Sequence, residues 1–294
     1  MPDSIVLSVI IVSYHCKELL ENCLGSIDRY NDIGDGLEVI VVDNSEDTET
    51  VDWLRKARPD VKAIKNDNKG FGEANNVGAR IASGRFLLLL NPDTLLVEPV
   101  FRFAIDTFKH NPMLGCFGVQ LLDGMGKRGP SCGFRMPMGF TRVTLCRLIT
   151  KAGLFFPSFM YVSGADLFLR TEAFRRCGMF DENIFMYCEE ADLANRLNSI
   201  GYCLGFFPEK HIVHFEGRTQ DSRLAEKYIR EMDSRKYYCA KYGESFFRWG
   251  QRELRYCLLK RSLLRMRDYE RSREYDKIVA FWKDTLQREG EKKC

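Results

Sequence analysis

Two acidic clusters and a histidine carry the residue types a group transfer needs. Asp93 ends the run Arg85-Phe-Leu-Leu-Leu-Leu-Asn-Pro-Asp-Thr94, in which Phe86–Leu90 has the unbroken apolar character of a strand buried on both faces. At the carboxyl edge of an open α/β sheet such a carboxylate can hold a divalent metal against a diphosphate; a turn that merely stops the strand accounts for the same residues. Glu189, Glu190 and Asp192 follow the aromatic Phe185-Met186-Tyr187 and crowd the first turn of a helix. The helix dipole favours one or two of them without any function. Three together repel and tend to raise one pKa, which suits a general base acting on a hydroxyl. His211 and His214 flank Ile212-Val213 in strand-like alternation, and Gly217-Arg218-Thr219 follows with a cation and a hydroxyl suited to phosphate oxygens. A neutral imidazole at 214 can complete a metal site begun by Asp93, or it can be structural. Gly70 and Gly72 open a helix and leave its amide-rich N-terminus to a nucleotide or sugar. Walker spacing is lacking, and Tyr14-His15-Cys16 stands where a dinucleotide fingerprint would follow the first strand.

The elements that must position these groups alternate over the first 120 residues. Strands are predicted at Ser8–Tyr14, Glu38–Asn44, Val61–Asn66, Arg85–Asn91 and Gly115–Leu121, with helices at Cys16–Tyr30, Asp47–Arg58, Gly72–Ser83 and Glu98–His110. This order implies a right-handed parallel α/β sheet, with Ser13-Tyr14-His15, Asp43-Asn44-Ser45 and Asn91-Pro92-Asp93 on one rim. Asp123–Pro137, rich in Gly and interleaved with Lys127, Arg128 and Arg135, reads as a mobile or ligand-ordered loop. Phe140–Phe159 is apolar and aromatic, either core or a face toward lipid or a greasy acceptor. A second structured block runs from Tyr161 to Thr219, and helices follow from Asp221. Arg248–Tyr275 sets nine cations against four carboxylates around Leu254, Leu258, Leu259, Leu263 and Leu264. Two readings stand for it: an amphipathic helix resting on anionic membrane, or leucines packed on the catalytic domain beneath a solvated basic face.

At 294 residues, 45% hydrophobic and 29% charged, the chain is an ordinary globular protein. A net charge of +3 is too small to argue for nucleic acid. Eleven scattered cysteines without a Cys-x-x-Cys pair fit reduced thiols rather than a disulfide framework or a zinc site. Ile5–Val12 is a strand rather than a signal peptide, and no run approaches a membrane span. The expected location is the cytoplasm, at the inner face of the plasma membrane if the basic helix meets lipid.

In order and spacing, these pieces resemble the GT-A fold glycosyltransferases of family 2, inverting enzymes that include bacterial rhamnosyltransferases. The likeness runs over Leu7–Thr219. It rests on Ser8-Val-Ile-Ile-Val-Ser-Tyr14, Val41-Val-Asp-Asn-Ser45, Asn68-x-Gly70 with Ala74-Asn75-Asn76-x-Gly78, and Leu90-Asn-Pro-Asp93. It continues through Val162-Ser-Gly-Ala165, Phe180-Asp-Glu182, Glu189-Glu-x-Asp192 and His214-Phe-Glu-Gly217. The resemblance implies a Rossmann-like mixed α/β sheet with a C-terminal helical extension. Residues 1–219 would be catalytic, with 1–122 the nucleotide-binding half and 123–219 the acceptor half, and 220–294 would be the extension. Ser13, Tyr14 and Asp43 would line the base pocket, while Asn68, Gly70 and Asn75 would border the nucleotide-sugar. Asn91 and Arg218 would stand on the same donor side. Asp93 would hold Mg²⁺ or Mn²⁺ with His214 as a further ligand. Glu190 aligns with the catalytic base, and Ser163 and Gly164 would shape the acceptor side. Three positions depart from the family pattern: His15 replaces the usual Asn, Asn91 the first Asp of Asp-x-Asp, and Glu189-Glu190 the usual Glu-Asp. A base one methylene longer must therefore reach the acceptor, or Asp192 takes that role.

The implied reaction is a single displacement at an anomeric carbon. The donor would be a nucleotide-sugar, dTDP-rhamnose favoured over UDP- or GDP-sugars, and the acceptor a saccharide or lipid-linked oligosaccharide of a cell-surface polysaccharide. A nucleotidyltransferase is one alternative, although it would need a basic Gly-rich loop after the first strand. A non-catalytic sugar-nucleotide-binding homologue is the other.

Overall fold

The computed structural model describes residues 5–135, 149, 153–215 and 224–291. The β-branched runs form parallel strands: β1 (Leu7–Ser13) lies between β2 (Leu37–Asp43) and β4 (Phe86–Leu90), and β3 (Lys62–Lys65) flanks β2. The two-residue period of a strand sorts their side chains. Val9, Ile11, Val41, Leu88 and Leu90 join the cluster on one face, which includes Leu20 and Leu24 of α1 (Lys17–Arg29) and Phe101 and Phe108 of α4 (Phe101–His110). Ile10, Val42, Leu87 and Leu89 turn to the other, where Ala74 and Ala79 of α3 (Phe71–Ile81) lie. Covered on both faces, these strands need the continuous apolar runs the sequence shows. The remaining helix of this half, α2, spans Glu49–Ala57.

Beyond β4 the sheet is mixed rather than parallel throughout. β9 (Asp166–Arg170) is inserted antiparallel between β4 and β6 (Leu114–Leu122). β10 (Cys203–His214) runs parallel to β6, and β5 (Thr94–Leu96) closes the edge antiparallel to β10. The order is β3-β2-β1-β4-β9-β6-β10-β5. Sequence spacing predicts β6 as the next parallel strand; it keeps that direction, but a strand from the second block separates it from β4. β7 (Cys132–Phe134) and β8 (Met160–Val162) form a small second sheet.

Local departures have identifiable causes. The helix expected from Glu98 begins at Phe101, because Thr94–Leu96 is extended and the Glu98 carboxylate accepts from the His211 amide and Lys210. The segment after Asp123 is a closed turn rather than a loop awaiting a ligand: Asp123 Oδ1 accepts from the Met125 and Lys127 amides, and Gly129 N–H donates to Leu121. Most of the aromatic stretch 140–159 lies outside the described residues.

The second block adds α5 (Thr171–Arg176) and α6 (Glu189–Ser199). The C-terminal helices α7 (Leu224–Lys241), α8 (Phe246–Leu264) and α9 (Tyr269–Glu291) share their own cluster around Trp249 and Trp282. Gly250 is required there, since a Cβ would stand 2.5 Å from the Trp282 ring. Leu254 and Leu258 pack into this cluster, not onto the catalytic sheet, while Leu259 and Leu263 face outward. Among the described residues no helix is long and apolar enough to cross a membrane, and no cysteine is in a disulfide.

Candidate active site

The acidic cluster is presented by a bend. Tyr187 and Cys188 adopt left-handed conformations (φ 67° and 72°) immediately before α6, turning the chain so that Glu189 and Glu190 open the helix facing inward. The Gly164 N–H donates to Glu190 Oε1 at 3.1 Å. Glycine permits this approach, because a Cβ on residue 164 would lie 2.8 Å from the same oxygen. Burial pushes the Glu190 pKa up against the backbone bonds it accepts, and the Glu231 charge adds to the rise. Glu189 is pushed well above the usual carboxylate range, by burial first and by Glu190 second, and its Oε2 has no partner among the described residues.

Asp192 faces elsewhere. Fully buried, it accepts from Arg196 Nε at 2.7 Å, Lys241 Nζ at 2.6 Å and the Tyr242 hydroxyl at 2.8 Å. Asp192, expected as the alternative to Glu190, has its oxygens engaged in contacts that join α6 to α7. Lys241 reaches Asp181 at 2.6 Å as well, and Tyr237 donates to the same Asp181 oxygen.

Glu190 opens into a cavity of about 250 Å³ walled by Tyr161 and Tyr187, with Glu231, Arg235 and Tyr238 contributed by α7. Arg235 donates from Nε and Nη2 to Glu231 Oε2 and stacks on Trp249, 5.4 Å from the ring centroid. Sequence reasoning missed Glu231 and Arg235. Their four-residue spacing is the ordinary signature of a surface helix pair, and only the packing of α7 on α6 brings them to the cavity beside Glu190.

At the same edge of the sheet the ends of β1 and β2 meet. Asp43 is fully buried; Oδ1 accepts from Ser45 Oγ at 2.9 Å while Oδ2 has no partner among the described residues. Burial raises its pKa against hydrogen bonds from Ser45 and Ser13. Tyr14 donates to Glu46, and His15, held left-handed at φ 46°, sets Nε2 2.5 Å from the same carboxylate. Asn68 accepts from Asn44, whose own Oδ1 accepts from Asn66. Gly70 has φ 112° and lies against the Phe185 backbone, whose carbonyl accepts the Phe71 N–H. One amide of the first turn of α3, that of Phe71, is thus taken by the chain that precedes the acidic cluster. Asn75 is buried and donates to the Phe71 carbonyl within its own helix.

Asp93 and His214 come together through the β5–β10 pairing. Phe215 N–H donates to the Asp93 carbonyl, and His214 Nε2 lies 3.3 Å from Asp93 Oδ1. Ligands at right angles on one ion, each about 2.1 Å from it, would be roughly 3 Å apart, so the pair has the spacing of neighbouring ligands. No described cluster holds three or more His, Cys, Asp or Glu side chains suited to a metal, so the remaining positions would fall to donor oxygens and water. A cavity of about 610 Å³ adjoins His214, lined also by Asp123, Gly124, Arg128 and Phe215. Arg218 lies outside the described residues. The two halves of the site share one stretch of chain: Gly164 binds Glu190, and the next carbonyl, Ala165, accepts the Asn91 N–H.

Residues 8–162, over half of the chain, match the family model described as glycosyl transferase family 2. The chain belongs to glycosyl transferase family 2. It is similar to the rhamnosyltransferase WbbL of Escherichia coli K12, 23% identical over 79% of this chain and 92% of that protein. It is also similar to the N-acetylglucosaminyl-diphospho-decaprenol L-rhamnosyltransferase of Mycobacterium tuberculosis, 25% identical over 75% of this chain and 80% of that one. Among solved structures, the mannosyltransferase PcManGT of Pyrobaculum calidifontis, in complex with GDP-Man and Mn²⁺, superposes with a TM-score of 0.58 at 21% identity. GalNAc-T7 with UDP, GalNAc and Mn²⁺ gives 0.58 at 17% identity. Those matches cover 80% and 83% of this chain but 63% and 51% of the two structures. They establish the GT-A fold of this glycosyltransferase, and family membership sets the nucleotidyltransferase alternative aside.

Proposed function

We propose that this family 2 enzyme is an inverting rhamnosyltransferase that moves rhamnose from dTDP-rhamnose to a saccharide or lipid-linked acceptor of a cell-surface glycan. The observation that carries the reading is the half-buried Glu190 carboxylate, fixed by Gly164 and facing a cavity, one peptide unit along the chain from the residue that anchors the Asn91–Asp93 turn. Rhamnose and a lipid diphosphate appear in the names of the similar proteins, and Asn91-Pro92-Asp93 is the form that resembles their branch.

In this reading Asp43 presents its unpartnered Oδ2 to the imide N–H of thymine or uracil, with Ser13 and Tyr14 beside it. Asn68, Gly70 and Asn75 border the donor sugar, and Asn91 and Arg218 lie toward its diphosphate. Asp93 and His214 would hold Mg²⁺ or Mn²⁺, which offsets the charge of the leaving diphosphate. Glu190 takes the proton from the acceptor hydroxyl as that oxygen attacks the anomeric carbon from the face opposite the departing diphosphate, inverting its configuration. Burial keeps its proton affinity high, which suits a base working near neutral pH. The Glu231 charge adds to that affinity, Glu189 stands beside the base at the head of the helix, and Asp192 positions α6. Tyr161, Tyr187, Glu231 and Arg235 receive the acceptor sugar, with aromatic walls for its apolar faces and charged groups for its hydroxyls.

The test is a thermal-shift screen of dTDP-rhamnose, UDP- and GDP-sugars with and without Mg²⁺, paired with donor hydrolysis in the absence of acceptor. The reading expects metal-dependent stabilisation by dTDP-rhamnose and slow leakage of the donor to water. Stabilisation only by a UDP- or GDP-sugar would replace the donor, and binding without any turnover would favour a non-catalytic homologue.

A further inference from the structure

The extension carries a surface that its own packing does not use. On α8 the inward line of Leu254 and Leu258 is covered by the Trp249–Trp282 cluster. One turn apart on the outward face, Leu259 and Leu263 remain 53% and 57% exposed. Met266, in the turn that leads to α9, is 95% exposed, and Tyr269, which opens α9, is 68% exposed. Four large apolar side chains thus gather at one tip of the helical extension, where a soluble surface would place polar groups.

The charges around them are not balanced. Arg255, Arg265, Arg267, Arg271 and Arg273 are exposed, and none pairs with a carboxylate among the described residues. Between Leu259 and Arg273 the chain has six cations and only two carboxylates, Asp268 and Glu270. Asp268 Oδ1 is already engaged by the Arg271 amide at the start of α9. Arg261 is bridged to Asp276. An apolar tip ringed by unpaired arginines has the two features of a segment that lies in a headgroup layer: side chains to enter the acyl boundary and cations to meet lipid phosphates. A symmetric contact with a second copy would set these arginines against one another, which disfavours self-association.

We propose that the α8–α9 tip is a docking surface for an anionic lipid bilayer. Leu259, Leu263, Met266 and Tyr269 enter the interface, and the surrounding arginines bind lipid phosphates. The surface lies outside the catalytic groups, so docking holds the enzyme at the membrane without taking part in transfer. It is independent of which donor or acceptor the active site uses.

The experiment is co-sedimentation of the full chain with vesicles of phosphatidylethanolamine and phosphatidylglycerol, and with vesicles of phosphatidylcholine alone. Two surface variants are run beside it: Leu259→Asn/Leu263→Asn/Met266→Asn, and Arg265→Gln/Arg267→Gln/Arg271→Gln. The wild type should sediment with the anionic vesicles, be released by raised salt, and stay in solution with the neutral ones. Each variant should partition roughly tenfold or more weakly while keeping the wild-type melting temperature and donor hydrolysis. Equal, negligible sedimentation of the wild type with both vesicles overturns the proposal, as does unchanged binding by either variant. Light scattering runs alongside: a wild-type dimer abolished by the apolar variant would show a second copy on this face and also overturn it. Loss of donor hydrolysis in the wild type would count against the proposed function and leave the lipid result standing.

Discussion

Gly164 donates its N–H to Glu190 at 3.1 Å across a gap that no larger residue would leave. The carbonyl of the next residue, Ala165, holds the Asn91 amide, so a single short segment sets Glu190 on one side and the Asp93 turn on the other. Substituting Gly164→Ala should displace the Glu190 carboxylate, whose oxygen would otherwise sit 2.8 Å from the new Cβ. A displacement of about 1 Å costs on the order of a hundredfold in rate. Steady-state kinetics should show that loss in kcat with donor affinity unchanged. A variant with wild-type kcat would mean that Glu190 is not positioned by this contact.

Asp93→Ala and His214→Ala should each weaken metal-stimulated turnover, Asp93 more, because a carboxylate also offsets the ion's charge. Metal titration of donor hydrolysis measures both effects. Full activity of the wild type in EDTA would remove the metal from the account.

The pH profile follows from Glu190. Its pKa is raised, by burial first and the Glu231 charge in addition, and a base must be deprotonated to act. The acid limb of kcat/KM should therefore lie above the range of an ordinary carboxylate, with activity rising as pH climbs through it. Glu231→Gln removes a negative neighbour and should move that limb to lower pH. A limb that stays in place would separate Glu231 from the base.

Lys241 joins the extension to the catalytic domain through Asp181 and the buried Asp192, each at 2.6 Å. Lys241→Met should cost about 2–3 kcal/mol by leaving Asp192 one cation short. Burial pushes Asp181 up, but the bonds from Lys241, Asn183 and Tyr237 prevail and hold it well below the usual carboxylate range. A depressed carboxylate contributes stability that is present above its unfolded pKa and lost as pH falls through its folded one. The deficit of the variant should thus be full at neutral pH and shrink under strong acid, as read by denaturant melts. A deficit that stays constant down to acid would assign the loss to packing instead.

The strand runs and the order of the family motifs were legible because each is local. Phe86–Leu90 announces a strand covered on both faces whatever lies beside it. The insertion of Asp166–Arg170 between β4 and β6 was not legible, since strand neighbours depend on long-range pairing that no local pattern records. Asp192 illustrates the same limit at the site. Its type and spacing match those of a base, and only the arrival of Lys241 from α7 reveals that its oxygens are occupied. The leucines of α8 divide by three-dimensional packing too, Leu254 and Leu258 inward and Leu259 and Leu263 outward, although one stripe contains them all in the sequence.

The central claim is tested most directly by Glu190→Gln, an isosteric change that keeps an oxygen for the Gly164 N–H but cannot take a proton. Transfer from dTDP-rhamnose to a saccharide or lipid-linked acceptor should be measured beside donor binding by calorimetry. The account predicts a rate loss of roughly a hundredfold to ten-thousandfold with donor affinity intact; near-normal turnover in the variant would contradict it.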